Sequence, residues 1–488
     1  MTTFSTPEWV HHAVFYQIFP DRFASARHPQ IPKPANLEPW DSPPTVHGFK
    51  GGDLIGVLEK LDYLQDLGIN AIYFTPVFQS ASNHRYHTHD YFKVDPILGG
   101  DLALHRLLKE AHRRNIRIVL DGVFNHASRG FFQFNHILEC GSSSPYVDWF
   151  QVHGYPLHAY EGTPRYACWW NLPALPTFNH ANPQVRQFIY DAARYWLDQG
   201  IDGWRLDVPF EIKDDAFWQG FRQVVKSANP QAYITGEIPW DATRWLQGDQ
   251  FDAVMNYLFT YSCWSFFGGD ELRTKLVGHW KGHGPEYFST TGTGFLTSLE
   301  KLLHIYPQPA VLAQLNLLDS HDTARYLSIT GGDRRRLKLA ALVQFTYPGA
   351  PSIYYGDEIG MEGGQDPDCR RSFPWDETRW DHDLHSYFQS LIQLRLAHPA
   401  LRTGEFIPLG ATDGSAAYLR CLDGTRFMIV INNTAGTLHL EIPAGPLADG
   451  TLLHDLLGSG TARVEHGTLN GMSLPPLSGA LLEAAGVG

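Results

Sequence analysis

Short runs of β-branched and aromatic residues alternate along most of the chain with longer stretches in which apolar positions recur every three or four residues. The short runs predict buried strands, and the longer stretches predict amphipathic helices between them. The predicted strands are 13–20, 70–76, 116–123, 201–208, 233–238, 251–257, 313–318 and 352–355, and the clearest helices are 54–67, 102–114, 182–199 and 214–227. This alternation predicts an α/β fold, a closed (β/α)8 TIM barrel.

Two segments depart from the alternation. Residues 127–180, after the third strand, are rich in glycine, proline and aromatic residues and are too long for an ordinary loop, which predicts a small inserted subdomain. Residues 399–488 show short alternating apolar runs separated by turn sequences such as DG and TAG, which predict a C-terminal antiparallel β-sandwich domain. The barrel is therefore expected to comprise residues 1–126 and 181–398.

Composition narrows the class of partner. The 488-residue chain has a net charge of -13, which disfavours binding to nucleic acid or to anionic membrane surfaces and favours a neutral ligand. Its five cysteines are scattered without a C-x-x-C pair, so we expect reduced thiols. We see no basic leader and no apolar run long enough to span a membrane, so a cytoplasmic protein is expected.

Charged side chains lie where the predicted strands end. Asp121 ends the third strand, Arg205 and Asp207 end the fourth, and Glu237 ends the fifth. The seventh strand is followed by His321 and Asp322. Because barrel enzymes carry their reacting groups at the carboxyl ends of the strands, these side chains are expected to meet at one rim.

Side chains alternate along a strand, so Arg205 and Asp207 are expected to point the same way into the barrel. A guanidinium beside a carboxylate lowers the pKa of that carboxylate by roughly 1–3 units, which suits a nucleophile. The apolar residues Ile238, Pro239 and Trp240 follow Glu237 and are expected to favour its protonated form. Two carboxyl groups in unlike surroundings are typical of glycoside hydrolysis.

Simpler interpretations exist for single residues. An Arg-x-Asp pair on a strand is most often a structural ion pair, and Asp121 has the alternative role of holding Arg205 in place. His126 and His321 have the alternative of satisfied loop histidines. Because we see no H-x-H or H-E-x-x-H spacing that supports a metal, no metal site is predicted, and these histidines are expected to donate hydrogen bonds to sugar hydroxyls.

Four segments, DGVFNH at 121–126, GWRLDV at 203–208, TGE ending at Glu237 and SHDT at 320–323, resemble the signature regions of the α-amylase family of glycoside hydrolases. The resemblance extends over nearly the whole chain. It implies a retaining mechanism in which Asp207 attacks the anomeric carbon, Glu237 acts as acid and base, and Asp322 holds the distorted sugar. It further implies that the substrate is bound by Tyr86, Asp121, His126, Arg205, His321, Asp366 and Arg370, with Asp366 and Arg370 contacting the next sugar on the non-reducing side. Aromatic stacking on a sugar is a further candidate role for Trp169, Trp170 and Trp240, with plain packing as the alternative.

Within the family the chain is most similar to the neopullulanase and cyclomaltodextrinase group, through GDQFDAVMNYLF at 248–259 and the segment beginning YYGDE at 354. Three features depart from that group. The barrel begins almost at once, without the usual N-terminal β domain, so either a monomer or a homodimer is expected. The calcium loop is replaced by ASARHPQIPKP at 24–34, so no cofactor is expected and calcium is the alternative. The usual segments on the leaving-group side of the cleft are replaced by VPFE at 208–211, EIPW at 237–240 and LPTFN at 175–179. The linkage preference of that group therefore does not carry over to this chain.

The resemblance therefore implies a retaining α-glucoside hydrolase acting on α-1,4 bonds, and also on α-1,6 bonds, of maltooligosaccharides, cyclodextrins, pullulan or branched dextrins. The alternatives are a debranching enzyme that mainly cleaves α-1,6 bonds and an α-glucan transglycosylase. A catalytically inactive sugar-binding protein is a further alternative, which the presence of Asp207, Glu237 and Asp322 disfavours.

Overall fold

Eight parallel strands form a closed barrel in the computed structural model, which describes residues 4–277 and 289–485. Residues 1–3 and 278–288 of the predicted barrel and residues 486–488 of the predicted C-terminal domain lie outside the described residues. The strands are β1 (Phe15–Ile18), β2 (Ala71–Phe74), β3 (Arg117–Gly122), β4 (Gly203–Leu206), β5 (Tyr233–Gly236), β6 (Ala253–Val254), β7 (Leu315–Leu317) and β8 (Ala350–Tyr354). They pair in the order β6-β5-β4-β3-β2-β1-β8-β7, and a parallel bridge between Met255 and Leu315 closes the ring. The predicted barrel is confirmed.

The strands are shorter than predicted because almost all side chains of the barrel strands are buried, the exposed Arg117 at the start of β3 aside, and buried apolar runs continue beyond the paired residues. The sixth strand, predicted over 251–257, is limited to Ala253–Val254, followed by the single bridge at Met255. A helix begins at Tyr257, where the Asn256 side chain accepts a hydrogen bond from the backbone N–H of Phe259. This helix cap ends the extended backbone before the predicted limit.

Helices surround the barrel, and most of them begin at a capping side chain. Asp53, Asn182 and Asp214 each accept a hydrogen bond from a backbone N–H in the first helical turn. The larger helices of the barrel layer are Leu54–Glu59, Leu61–Leu67, Gly100–Arg113, Pro183–Asp198, Asp215–Ala228, Tyr257–Cys263, Gly292–His304, Arg334–Thr346 and His382–Ala397. The predicted helix 54–67 is thus interrupted at Lys60, and a 3-10 turn, Thr243–Trp245, follows β5 in place of a helix.

Two insertions build the wall of the barrel mouth. The chain between β3 and helix Pro183–Asp198 contains helix Phe132–Cys140 and is held by a cluster of stacked aromatic rings, including Phe150 on Phe178 at 5.4 Å. A hairpin of strands Phe78–Ser80 and Thr88–Val94 follows β2. The loop of that hairpin carries Tyr86 toward the mouth.

An antiparallel sheet of eight strands forms the C-terminal domain. Its strands are Glu405–Ala411, Ser415–Leu422, Thr425–Asn432, Ile442–Pro443, Leu452–Asp455, Thr461–Glu465, Thr468–Asn470 and Ser478–Ala484, with Leu438–His439 and Ser473–Leu474 pairing separately. Inward-facing residues of this sheet form an apolar core of their own. Across the parts of the chain that the structure describes, no helix is both long and apolar enough to cross a bilayer.

Candidate active site

Arg205 lies at the centre of the barrel mouth. Asp121 on β3 and Arg205 on β4 are direct partners in the strand register, so their side chains leave adjacent strands side by side. The Arg205 guanidinium is fully buried and lies 2.8 Å from Asp121, 3.2 Å from Asp207 and 2.8 Å from Glu237. One positive charge therefore serves three carboxyl groups from three neighbouring strands.

The electrostatics of this cluster differ from the sequence prediction for Asp207. Burial raises the pKa of Asp207 above its usual value, and the opposing effect of Arg205 does not cancel it. Burial likewise raises the pKa of Glu237 to about 7. The prediction considered only the favourable charge pair, whereas one guanidinium cannot compensate for the removal of three carboxylates from water. The cluster therefore retains a proton near neutral pH.

Hydrogen bonds distinguish the two carboxyl groups. The Arg205 guanidinium donates a hydrogen bond to Asp207, which favours the ionised form. Its contact with Glu237 Oε1 lacks hydrogen-bond geometry, and Oε1 has no hydrogen-bond partner among the described residues. Glu237 is held through Oε2, which accepts from the Val208 N–H at 3.2 Å. The proton is thus best placed on Glu237, which lacks the hydrogen bond that Asp207 receives from Arg205.

Val208 shows how the chain positions Glu237. It has a φ of 36° in the left-handed region, which is strained for a β-branched residue and costs on the order of 1–3 kcal/mol. The sequence predicted extended backbone through this position, but β4 ends at Leu206. The sharp turn directs the Val208 N–H toward Glu237, so the residue after Asp207 orients the second carboxyl group.

Tyr86 lines the cleft, and the buried His321 packs behind it. Their rings stack almost in parallel, at 5° with centroids 5.6 Å apart. The Gln17 amide nitrogen donates to His321 Nδ1 at 2.7 Å, so the neutral ring carries its proton on Nε2. That nitrogen faces the Tyr86 hydroxyl at 2.5 Å, and the hydroxyl in turn donates to Asp121 at 3.0 Å. Burial lowers the pKa of His321, which keeps it a neutral donor.

Asp322 belongs to a second charge cluster in the same cleft. Arg370 lies 3.1 Å from Asp322 and 3.0 Å from Asp366, and it donates to the His321 carbonyl at 2.8 Å. The structure therefore brings Asp366 and Arg370 beside Asp322. Asp366 is half exposed, at 49%.

His126 faces the cleft from the start of the inserted segment. The Asn125 amide nitrogen lies 3.2 Å from its Nδ1, which places the proton of the neutral ring on Nε2. Burial lowers the pKa of His126 to about 3. Its Nε2 is buried and has no hydrogen-bond partner among the described residues, so a polar ligand group would complete it. The Trp169 ring stacks between the rings of His126 and Trp170, with centroid distances of 5.2 Å and 4.3 Å.

The cleft has a volume of about 390 Å³. The predicted residues that line it are Tyr86, His126, Asp207, Glu237, Asp322, Asp366 and Arg370, and Trp169 and Trp170 join them. Asp121, Arg205 and His321 are buried behind the cleft and are not among its lining residues. Trp240 is not among them either; it packs against Phe210 at 4.7 Å, and its substrate role stays a prediction.

Sequence reasoning missed Val46, His84 and His87, which also line the cleft. The two histidines flank Tyr86 within NHRYHTHDYF, and that proximity was the available signal. His87 and His89 also form an H-x-H spacing that sequence analysis overlooked. No group of three or more His, Cys, Asp or Glu side chains is placed to hold a metal within residues 4–277 and 289–485.

The region of the family's calcium loop lies beside Asp53. Its Oδ1 accepts from the Gly56 N–H at 2.7 Å, and its Oδ2 accepts from the Ala26 N–H at 3.0 Å. The adjoining loop offers Arg27 and His28 where calcium would require oxygen donors. Calcium takes six to eight oxygen ligands, so the residues present do not fit this ion.

Comparison with known proteins identifies the scaffold. Residues 17–404 match the family description "Alpha amylase, catalytic domain". The chain belongs to the α-amylase family of glycoside hydrolases. The resemblance of the four signature segments is thereby confirmed.

Individual α-amylase family members are similar over almost the whole chain. A cyclomaltodextrinase from a Bacillus species is 46% identical over 434 residues, covering 88% of this chain and 74% of that protein. A crystal structure of the Thermus thermophilus protein Ttha1563 superposes with a TM-score of 0.94 at 47% identity, covering 98% of this chain and all of the other. The native debranching enzyme of Nostoc punctiforme gives a TM-score of 0.90 at 48% identity, covering 99% of this chain and all of that one.

Proposed function

We propose that this α-amylase family enzyme is a retaining hydrolase of α-1,4-glucosidic bonds in maltooligosaccharides, cyclodextrins, pullulan or branched dextrins. The observation that carries the proposal is the arrangement of Asp207 and Glu237 around one guanidinium. Arg205 donates a hydrogen bond to Asp207, while Glu237 keeps an oxygen without a hydrogen-bond partner among the described residues and has a pKa of about 7. This arrangement supplies a nucleophile and a proton donor in the same cleft.

In the first step a carboxylate oxygen of Asp207 attacks the anomeric carbon. The glycosidic C–O bond breaks, its electron pair moves to the leaving oxygen, and that oxygen takes the Glu237 proton. In the second step the Glu237 carboxylate removes a proton from water, and the water oxygen displaces Asp207 from the anomeric carbon. Two inversions at this carbon give net retention and regenerate both groups.

The remaining cleft residues hold and orient the sugar. Tyr86 offers a ring face, His126 offers an N–H donor to a hydroxyl group, and His321 holds Tyr86 in place through its Nε2 proton. Asp322 accepts hydrogen bonds from the ring hydroxyls of the sugar under attack. Asp366 and Arg370 contact the next sugar, and Asp121 holds Arg205.

A second candidate activity is debranching, the cleavage of α-1,6 bonds. It is supported by the 48% identity to the Nostoc punctiforme debranching enzyme over 99% of this chain. Transglycosylation uses the same glycosyl-Asp207 intermediate with a sugar hydroxyl in place of water. The departures in VPFE, EIPW and LPTFN lie where such an acceptor would bind.

We also propose that the enzyme works without calcium, in the cytoplasm, as a monomer or homodimer. Both carboxylate oxygens of Asp53 accept hydrogen bonds from backbone N–H groups, so neither is left as a calcium ligand. All five cysteines are free thiols, which suits a reducing compartment.

Product analysis tests the proposed function. Purified protein is incubated with maltotriose, β-cyclodextrin and pullulan, and the first products are identified by chromatography and by NMR of the anomeric proton. We expect α-configured products, with panose from pullulan reporting α-1,4 cleavage and maltotriose reporting α-1,6 cleavage. β-configured products would contradict the retaining mechanism, and absence of turnover on all three substrates would favour a sugar-binding protein.

A further inference from the structure

Gln17 is a buried amide on β1, inside the barrel and behind the cleft. Its backbone pairs with Tyr73 on β2 and with Tyr354 on β8, and the residue is 2% exposed. It lies outside the set of described residues that line the cleft. Burying an amide costs free energy unless the group is hydrogen-bonded, and the Gln17 amide nitrogen donates to His321 Nδ1 at 2.7 Å. The contact with His321 therefore accounts for a polar side chain at this position.

His321 connects Gln17 to two residues that line the cleft. Its second ring nitrogen, Nε2, lies 2.5 Å from the Tyr86 hydroxyl and 3.0 Å from Asp322 Oδ2. Burial lowers the pKa of His321, so the ring is neutral and has a single ring proton to place. Because the amide N–H of Gln17 requires a bare Nδ1, that proton lies on Nε2. There it faces a hydroxyl oxygen and a carboxyl oxygen that both accept hydrogen bonds.

The position of this proton sets the direction of a chain of hydrogen bonds. With the proton on Nε2, the Tyr86 oxygen accepts from the ring, and the Tyr86 hydroxyl donates to Asp121 at 3.0 Å. Asp121 also accepts from Arg205 at 2.8 Å. With the proton on Nδ1, a lone pair on Nε2 would draw the Tyr86 hydroxyl proton away from Asp121. The same lone pair would repel the Asp322 carboxyl oxygen.

We propose that Gln17 is a positioning residue for the hydrolysis: its amide N–H fixes His321 in the form protonated on Nε2, and this form holds Tyr86 and Asp322 where the sugar binds. The inference rests on the proposed function, in which Tyr86 and Asp322 contact the sugar under attack. Gln17 itself touches no substrate and acts through His321. The parallel stacking of the Tyr86 and His321 rings, with centroids 5.6 Å apart, passes any shift of one ring on to the other.

Nitrogen-15 NMR of protein labelled in histidine locates the proton without any turnover. A ring nitrogen that carries a proton and a bare one give well-separated signals, and His321→Gln identifies the His321 signals by their loss. We expect the wild type to carry the proton on Nε2. At pH 8 we expect Gln17→Glu to carry a proton on Nδ1, because an ionised carboxylate accepts where the amide donates. A wild-type ring protonated on Nδ1 would overturn the inference.

Two matched substitutions measure the effect on activity. Gln17→Met and Gln344→Met each replace a buried glutamine by an apolar side chain of similar length, and Gln344 donates to the carbonyls of Asn316 at 3.0 Å and Ser352 at 2.9 Å. We expect Gln17→Met to lower kcat/KM on maltotriose about tenfold to hundredfold and Gln344→Met to leave it unchanged. Melting temperatures establish that both variants fold. Equal losses of activity in the two variants would overturn the inference.

A double-mutant cycle separates positioning from packing. Tyr86→Phe removes the hydroxyl that accepts from His321, so part of what Gln17 holds in place is already lost. We expect the loss caused by Gln17→Met to be at least about threefold smaller in this background than in the wild type. An equal loss in both backgrounds would show that the two residues act independently and would overturn the inference. A wild type that hydrolyses none of the substrates would instead contradict the proposed function, and the NMR signals would still report the position of the His321 proton.

Discussion

Two of the regions that bury arginine side chains completely surround them with different partners. In the cleft, Arg205 lies among carboxyl groups, whereas Arg395 and Arg420 donate to backbone carbonyls where the barrel meets the C-terminal domain. Burial acts to lower the pKa of Arg205, but the carboxylates outweigh it and the net pKa is raised. At the domain contact burial prevails and lowers the pKa of Arg420 to about 10. The contacts of Arg205 set the protonation of the carboxyl groups in the cleft, whereas Arg395 and Arg420 join backbone segments through hydrogen bonds to carbonyls.

The carbonyls at the domain contact explain why arginine is required there. The last carbonyls of the helix that ends at Thr346 have no partner within the helix. Arg395 donates to the Phe345 carbonyl at 2.9 Å, and Arg420 donates to the Thr346 carbonyl. Both also donate to the Leu401 carbonyl, at 2.9 and 3.0 Å. Removal of Arg420 should therefore affect stability, and removal of Arg205 should affect catalysis.

The largest expected effect follows removal of the reacting groups themselves. We expect Glu237→Gln to lower kcat/KM on maltotriose by about 10²- to 10⁴-fold and Asp207→Ala to lower it at least as much. The amide cannot transfer a proton, and alanine cannot form the covalent intermediate. Steady-state kinetics and thermal unfolding check the prediction. Near-normal rates in either variant, with an unchanged melting temperature, would contradict the assignment.

Arg205→Met tests the charge at the cleft. Without the guanidinium, Asp207 loses its hydrogen-bonded partner and its pKa rises further, so less of the nucleophile is ionised at neutral pH. We expect kcat to fall by about 10²- to 10³-fold. The measurement is kcat at saturating substrate from pH 5 to 9. An unchanged kcat would show that the cluster around Arg205 is structural and would remove the contrast with the domain contact.

Arg420→Met tests the other side of the contrast. Loss of the guanidinium leaves buried carbonyls without donors, and each costs about 1–3 kcal/mol. We expect the free energy of unfolding to fall by at least about 2 kcal/mol while kcat of the folded enzyme stays unchanged. Denaturant unfolding measures the first quantity. Arg463→Met, at an exposed position on the same domain, is the matched control, and an equal loss of stability in that variant would contradict the explanation.

The pKa of Glu237 predicts a pH profile with a defined sign. The first chemical step requires protonated Glu237, so kcat/KM should fall as pH rises above about 7, approaching tenfold per pH unit. Glu237→Gln assayed with 2,4-dinitrophenyl α-glucoside, whose leaving group needs no proton, should lose this basic limb. Persistence of the limb in the variant would assign the titration to another group.

Strand-end residues were predictable because barrel topology brings them together whatever lies between them. The alternating periods of strand and helix placed Asp121, Arg205 and Glu237 at one rim, and the register confirms that Asp121 and Arg205 are neighbours. A pattern in sequence does not, however, fix which charges share a partner. The contact of Arg205 with Glu237 depends on the tilt of adjacent strands and could not be deduced.

Loop residues were less predictable for a physical reason. Val208 adopts the left-handed region although its side chain favours extended backbone, because the surrounding cleft determines its conformation. Val46 and His87 reach the cleft through long connections whose path is set by buried side chains such as Lys50. Local propensity carries no information on such paths, so these contributors emerged only from the structure.

The smallest expected effect is that of a chelator. If the enzyme bound calcium, a free calcium concentration of a hundred times the Kd would stabilise the fold by about 2.7 kcal/mol, and EDTA would remove that contribution. Here the Asp53 oxygens accept from the N–H groups of Gly56 and Ala26, so the melting temperature should be the same with and without EDTA. Asp53→Ala should cost about 0.5–2 kcal/mol through loss of the helix cap, equally in calcium and in EDTA. A drop in melting temperature on chelation that added calcium reverses would show that a cation displaces these amides after all.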